Sequence, residues 1–125
     1  MFVRSLLGLT VAAFAFASPA SADSVTGTWL RDSGASKVRF AACGAALCGH
    51  IVWIKPGTDT PAKVGQRIFY DMKPSGANAW AGTAFNPEDG KTYTGKMSLA
   101  GSTLTTQGCA MGGMICKSTG WTRSN

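Results

Sequence analysis

The sequence predicts an all-β protein, built as one small antiparallel barrel or sandwich of about eight short strands. Three observations predict this class. Apolar runs after residue 22 are short, and helical periodicity is hard to find there. Turn residues bound each run. No connection is long enough for a parallel crossover, so neighbours in sequence should be neighbours in the sheet, as in an up-and-down meander.

Turns of recognisable chemistry separate the predicted strands. Asn86-Pro87-Glu88-Asp89-Gly90 is a strong hairpin signal, because proline presets φ for a turn and glycine supplies a positive φ. Lys73-Pro74-Ser75-Gly76 and Ala100-Gly101-Ser102 are also predicted to be turns. Residues 56–61 are too rich in proline for a helix interior. The eight strands are expected at about 26–32, 36–43, 48–55, 66–72, 79–86, 91–99, 102–108 and 115–123.

Side-chain alternation places one face of these strands in a core. On the second strand Val38 and Phe40 share one face, whereas Lys37 and Arg39 share the other. Such half-buried strands are typical of an antiparallel sheet with one face exposed to solvent. The third strand differs, because residues 50–54 are apolar on both faces. Closure of the sheet into a barrel would remove its exposed edges.

Residues 1–22 have the three parts of a cleavable export signal. Arg4 supplies the positive charge, residues 6–16 form an apolar run, and Ala20-Ser21-Ala22 fits the cleavage site. The run is about eleven residues long, whereas a membrane span needs roughly 20, so an uncleaved anchor is the less favoured interpretation. We therefore expect residues 23–125 to form one mature domain without a transmembrane segment, working outside the cytoplasm.

The expected mature chain carries eleven basic and six acidic residues, a net charge of +5. The basic residues are dispersed, which argues against nucleic acid as a partner. A diffuse positive field could favour anionic polymers or lipid head groups of the cell envelope, in a salt-dependent way. The simpler interpretation is that this charge serves solubility.

The four cysteines predict two disulfide bridges in an oxidising compartment. We favour Cys43–Cys48 and Cys109–Cys116, in which each bridge joins the end of one predicted strand to the start of the next. Bridges between the two hairpins are the alternative, and they would stabilise more, because they would close longer loops. The spacings do not match those of zinc sites or of thiol–disulfide oxidoreductases, so we expect no bound metal.

The sequence offers little for catalysis, and we expect neither enzyme activity nor a cofactor. The single histidine, His50, lies in an apolar strand close to Cys48. An alternative hypothesis is an enzyme that uses His50 with Asp71 or another carboxylate, which requires the two groups to lie within hydrogen-bond reach. Glu88 and Asp89 are adjacent in one turn and would not face each other across a cleft.

Aromatic residues are the better indication of how the barrel is built. If the sheet closes, the first and last strands are neighbours, and Arg123 could lie over an indole. The candidate residues for closure are Trp29, Trp121 and Arg123. Eight-stranded barrels either hold one small ligand or are filled by their own side chains, and we favour the filled form for so short a chain. The candidate ligand-binding side chains are Trp53, Trp80, Phe85 and Tyr93.

Several of these segments together resemble a known family. They are Gly27-Thr28-Trp29, Cys43-Gly44, Leu47-Cys48-Gly49 running into Ile51-Val52-Trp53, Asn86 through Tyr93, Gly108-Cys109 with Cys116, and Trp121-Thr122-Arg123. Their order is similar to that of the DUF2147 family, small exported bacterial proteins without an assigned biochemical role. The resemblance implies a lipocalin-like β-barrel in the periplasm of a Gram-negative bacterium and supplies no catalytic residues. By analogy, Gly27-x-Trp29 with Arg123 is similar to the barrel-closing pair of lipocalins.

The leading hypothesis is a non-enzymatic periplasmic or secreted barrel that binds a small apolar or amphipathic molecule or serves as an envelope accessory. The alternative is an interaction module for anionic envelope polymers or for a protein partner. That alternative would use the net charge, an exposed Trp53, and the apolar tip formed by Met111 and Met114. The sequence leaves open the ligand, the partner and the oligomeric state.

Overall fold

Eight antiparallel strands form a closed ring in the computed structural model, which describes residues 24–124. The predicted export signal at residues 1–22 lies outside the described residues. Each strand pairs with its neighbours in sequence, and the last strand pairs with the first. The strands are β1 (Gly27–Arg31), β2 (Ser36–Cys43), β3 (Ala46–Ile54), β4 (Arg67–Gly76), β5 (Ala79–Asn86), β6 (Lys91–Ala100), β7 (Thr103–Ala110) and β8 (Ile115–Ser124). The predicted all-β up-and-down barrel is confirmed.

The predicted turn at residues 73–76 is wrong, because β4 continues through Gly76. Pro74 is tolerated there because β3 pairs with β4 only as far as Met72, so the next residues of β4 lie on an unpaired edge. The turn that joins β4 to β5 lies instead at residues 77–78, where Asn78 takes a φ of 54°. Asparagine adopts this left-handed conformation more readily than most residues.

A β-bulge in β4 bends the barrel wall beside this edge. Tyr70 pairs with Thr83 and Lys73 pairs with Ala81, so two residues of β4 face Gly82 alone. A Cβ atom on Gly82 would lie 2.4 Å from the backbone oxygen of Asp71, closer than packed atoms approach. Only glycine therefore fits opposite the bulge.

The barrel has a closed end and an open end. At the closed end lie the two-residue turns at 44–45, 77–78 and 101–102, together with the segment 24–26. At the open end lie the connections 32–35, 55–66, 87–90 and 111–114. The large buried side chains that fill the closed end are Val25, Trp29, Val38, Phe40, Leu47, Met72, Trp80, Met97 and Leu104.

Both favoured disulfide bridges are present, so the cross-hairpin alternative is wrong. Cys43–Cys48 spans the β2–β3 turn at the closed end. Cys109 and Cys116 are cross-strand partners on β7 and β8, and their bridge holds the base of the turn 111–114 at the open end. Each bridge therefore fixes one hairpin rather than joining two.

None of the helical turns in residues 24–124 has the length and apolar character that crossing a membrane as a helix requires.

Replacing Gly82 by alanine should destabilise the protein by about 1–3 kcal/mol, because the new methyl group meets the backbone of the bulge. Gly76→Ala in β4 is the matched control, since its Cβ would contact only the Ala79 methyl group at 4.0 Å. Urea unfolding of both variants measures the difference in unfolding free energy. Equal stability of Gly82→Ala and Gly76→Ala would contradict the bulge geometry.

Candidate functional site

The closed end is held together by Arg123 and Trp29, which are cross-strand partners on β8 and β1. The guanidinium carbon of Arg123 lies 4.2 Å from the centre of the Trp29 ring. The two terminal nitrogens of Arg123 donate hydrogen bonds to the backbone oxygens of Thr26 (2.8 Å) and Ser24 (2.9 Å). The Trp29 indole N–H donates to the backbone oxygen of Val25. These contacts seal the bottom of the barrel with the segment that precedes β1.

Trp121 takes a different position from the other two candidate closure residues. It lies on β8 opposite Arg31 and is buried inside the barrel. Its indole N–H donates a 2.9 Å hydrogen bond to the hydroxyl of Thr106 on β7, not to any part of β1. Trp121 therefore belongs to the floor of the space above the closed end.

That space is a cavity of about 760 Å³ at the open end of the barrel. The expectation of a filled barrel is thus wrong for this half of the molecule, because its inward positions carry small or polar residues such as Ala84, Gly108 and Thr119. The apolar side chains on the cavity wall are Ile51, Ile54, Ile68, Phe69, Phe85 and Trp121. A cavity of this size and lining lies in the range of small-molecule sites.

The β3–β4 connection, residues 55–66, lies over part of the cavity mouth. Thr58, Asp59, Thr60 and Ala62 of this connection line the cavity, and Ala62 packs against the core. The Thr60 hydroxyl donates a hydrogen bond to a carboxylate oxygen of Glu88 on the β5–β6 turn. This contact ties the connection to the opposite rim.

Charged side chains of both signs line the cavity near its mouth. The acids are Asp59, Glu88 and Asp89, and the bases are Arg31 and Lys117. Asp89 accepts a hydrogen bond from the Tyr93 hydroxyl and another from the backbone N–H of Lys91. The Tyr93 hydrogen bond is the main reason why the pKa of Asp89 is lowered, and the same bond raises the pKa of Tyr93. The combination of an apolar floor and a charged rim is suited to an amphipathic ligand.

The structure brings two of the four candidate ligand-binding residues to the cavity and leaves two elsewhere. Phe85 and Tyr93 line it. Trp80 is buried in the closed end, where its cross-strand partner is Met97, and its indole N–H has no acceptor among the described residues. Trp53 lies on the outer wall, because its cross-strand partner is the outward-facing Lys37, whose amine lies 5.4 Å from the ring centre.

His50 also lies on the outer wall. Its cross-strand partner on β2 is Arg39, which alternates with the buried Val38 and Phe40 and therefore faces out. On β4 its partner is Arg67. Within residues 24–124, no hydrogen bond joins His50 to Asp71, and no three histidine, cysteine or carboxylate side chains come together as metal ligands would.

Sequence reasoning missed most of the cavity wall. Arg31, Ile54 and Lys117 line the cavity. The signal that could have found Arg31 is its spacing of two from Trp29, since alternate strand residues share a face. The same spacing relates Lys117, Thr119 and Trp121 on β8.

The closed ring of eight up-and-down strands, sealed at one end and open to a cavity at the other, defines a lipocalin-like barrel. The chain belongs to the family described as "Uncharacterized protein conserved in bacteria (DUF2147)", whose model matches residues 27–123. Among solved structures it is similar to protein HP1028 of Helicobacter pylori, described as belonging to the lipocalin family. The TM-score is 0.65 and the identity 17%, over 81% of this chain and 83% of that one. No curated protein matches.

Replacing Arg123 by methionine should cost about 1–2 kcal/mol of unfolding free energy, because it removes two hydrogen bonds and the ring contact while keeping the apolar stem. The control is Arg39→Met, at an exposed position on the outer face of β2. Thermal or urea unfolding compares the two variants. A loss in Arg123→Met no larger than in Arg39→Met would refute the role of Arg123 in closure.

Replacing Tyr93 by phenylalanine should raise the pKa of Asp89 toward its ordinary value, because the carboxylate loses its principal hydrogen-bond donor. The depressed pKa stabilises the fold above the ordinary pKa of an aspartate, and this contribution is lost as the pH falls through the lowered value. NMR titration of the Asp89 carboxyl group measures the change, with Tyr70→Phe as the control. An unchanged Asp89 pKa in Tyr93→Phe would contradict the hydrogen bond between Tyr93 and Asp89.

Proposed function

We propose that this protein is a non-enzymatic carrier or receptor that binds a small amphipathic molecule in the cavity at the open end. The observation that carries this proposal is the cavity itself, about 760 Å³ with an apolar floor and a polar rim. Sites for small molecules are concave and mostly apolar, with a few polar groups that fix the orientation of the ligand. The apolar part of the ligand would lie on Ile51, Phe69 and Trp121, and its polar head at the rim.

The packed closed end supports this proposal, because it gives the cavity a floor that is already formed in the absence of a ligand. Trp29, Phe40 and Trp80 fill the barrel below the cavity. The ring of Phe40 packs in a tilted arrangement against that of Phe69, which lines the cavity, with the ring centres 5.4 Å apart. The Trp121–Thr106 hydrogen bond fixes another part of the floor. A preformed site loses less conformational entropy on binding than a site that must be ordered by its ligand.

The cell compartment is also part of the proposal. Two disulfide bridges among the described residues support an oxidising environment, such as the periplasm or the outside of the cell. The absence of enzyme activity is proposed because His50 lies on the outer wall and Asp89 is hydrogen-bonded to Tyr93, so neither is placed as a free general base in the cavity.

A tryptophan that blocks the cavity should abolish ligand binding. Thr119 lines the cavity, so Thr119→Trp should weaken the binding of an environment-sensitive naphthylamine dye by about tenfold or more. The control is Thr94→Trp, at an exposed position of β6 that does not line the cavity. Fluorescence titration measures both. No dye binding by the wild-type protein, or equal binding by the two variants, would count against the proposal.

The alternative from the sequence was an interaction module for anionic envelope polymers or a protein partner, and one observation favours the protein partner. Met111 and Met114, at the tip of the β7–β8 hairpin, are 72% and 85% exposed. Exposed apolar groups of this kind are typical of interaction sites. Cosedimentation with isolated envelope material separates the two candidates, because Met111→Ser with Met114→Ser would then release the protein while leaving dye binding unchanged.

A further inference from the structure

We propose that the ligand is an amphiphile with one anionic head, a carboxylate or a phosphate, and that Arg31 and Lys117 bind this head. The inference rests on the proposed function, since it specifies the class of molecule that the cavity takes. Three properties of the two cationic side chains support it: where they lie on the barrel wall, their availability to a ligand, and the state of the acids around them.

Both cations occupy inward-facing strand positions at the exposed mouth of the cavity, on the wall formed by β8 and β1. Arg31 shares a strand face with the buried Trp29 and is the cross-strand partner of Trp121. Lys117 is the cross-strand partner of Gly108, and both residues line the cavity. The outer wall is the usual place for a lysine or an arginine in a water-soluble barrel, so two inward-facing cations on adjacent strands are unusual.

The two cations are available to a ligand. Among the described residues, neither the side chain of Arg31 nor that of Lys117 makes a hydrogen bond, an ion pair or a ring contact with the protein. Other basic side chains are engaged in such contacts: Lys37 lies over Trp53, and Arg67 lies over Tyr70. Both heads are therefore free at the exposed end of an apolar cavity.

Two of the three acids that line the cavity already have donors of their own. Glu88 accepts the hydroxyl of Thr60, and Asp89 accepts the hydroxyl of Tyr93. The Thr60–Glu88 bond joins two connections of the rim, and both bonds occupy carboxylate oxygens that a cationic head would need. The third acid, Asp59, lies at an exposed position on the β3–β4 connection, whereas Arg31 and Lys117 lie on the wall formed by β1 and β8. The polar groups that this wall offers to a ligand include two cationic donors, and the planar guanidinium of Arg31 suits the paired oxygens of a carboxylate or a phosphate.

Four probes with the same dodecyl chain test the charge of the head: dodecanoate, dodecyl phosphate, dodecanol and dodecylamine. Each is titrated against the protein with bound dye, below the concentration at which it forms micelles. We expect dodecanoate or dodecyl phosphate to displace the dye at about tenfold lower concentration than dodecanol, because one charge-assisted hydrogen bond contributes a difference in affinity of this size. The stronger of the two identifies carboxylate or phosphate as the head. Dodecylamine should displace the dye no better than dodecanol.

Variants assign the preference to the two cations. Arg31→Gln and Lys117→Gln should each reduce the advantage of the anionic probes, whereas Lys96→Gln, an exposed position on β6 outside the cavity, should leave it unchanged. Arg31→Glu should gain affinity for dodecylamine, so that the preference of this variant shifts from the anionic probes toward the cationic one. Displacement of the dye confirms that each variant is folded.

The outcomes separate this inference from the proposed function. Equal displacement by dodecanol and the anionic probes, or tighter binding of dodecylamine to the wild-type protein, would overturn the anionic head and leave the cavity as an amphiphile site. An unchanged anionic preference in both glutamine variants would also overturn the assignment. If the wild-type protein binds neither the dye nor any dodecyl probe, the proposed function itself fails.

Discussion

The contact of Arg123 with Trp29 joins residues nearly a whole domain apart in sequence and so converts a sheet into a ring. The hydrogen bonds from the guanidinium reach across sequence separations of 97 and 99 residues. β1 is only five residues long, yet it pairs with both β2 and β8. A strand this short gives few ladder hydrogen bonds, so the side-chain contacts at its start carry much of the closure. Without closure, β2 and β8 would present exposed edges.

Closure at one end determines which part of the barrel interior can form a cavity. Bulky inward side chains such as Trp29, Phe40 and Trp80 occupy the same end as the Arg123 contact, and they leave no room there. At the other end, the inward positions hold Ala84, Gly108 and Thr119, which are too small to meet across the ring. The cavity is therefore a consequence of where the sequence places large and small residues along alternating strands. The Cys109–Cys116 bridge holds one hairpin of the rim.

The strands were predictable because alternation and turn chemistry are local properties of a sequence. The continuation of β4 through residues 73–76 was not predictable, since the tolerance of Pro74 depends on where β3 stops pairing with β4. The cavity was not predictable for a similar reason. The orientation of Trp53 depends on a shift in the β2–β3 register, where Lys37 pairs with Trp53 but Val38 pairs with Ile51, so Trp53 faces out although Ile51 faces in. Trp80 faces in, but at the packed closed end. Arg31 and Lys117 come to lie on the same wall only once β8 pairs with β1.

A crystal structure with a terminally brominated fatty alcohol, measured at the bromine absorption edge, tests the half-filled barrel most directly. The neutral head makes the result independent of which charge the rim prefers. We predict an anomalous peak beside Ile51, Phe69 and Trp121, above a closed end that stays packed around Trp29 and Trp80. Bromine only on the outer wall near Trp53, or a cavity collapsed by inward movement of its side chains, would contradict a barrel that is sealed at one end and open at the other.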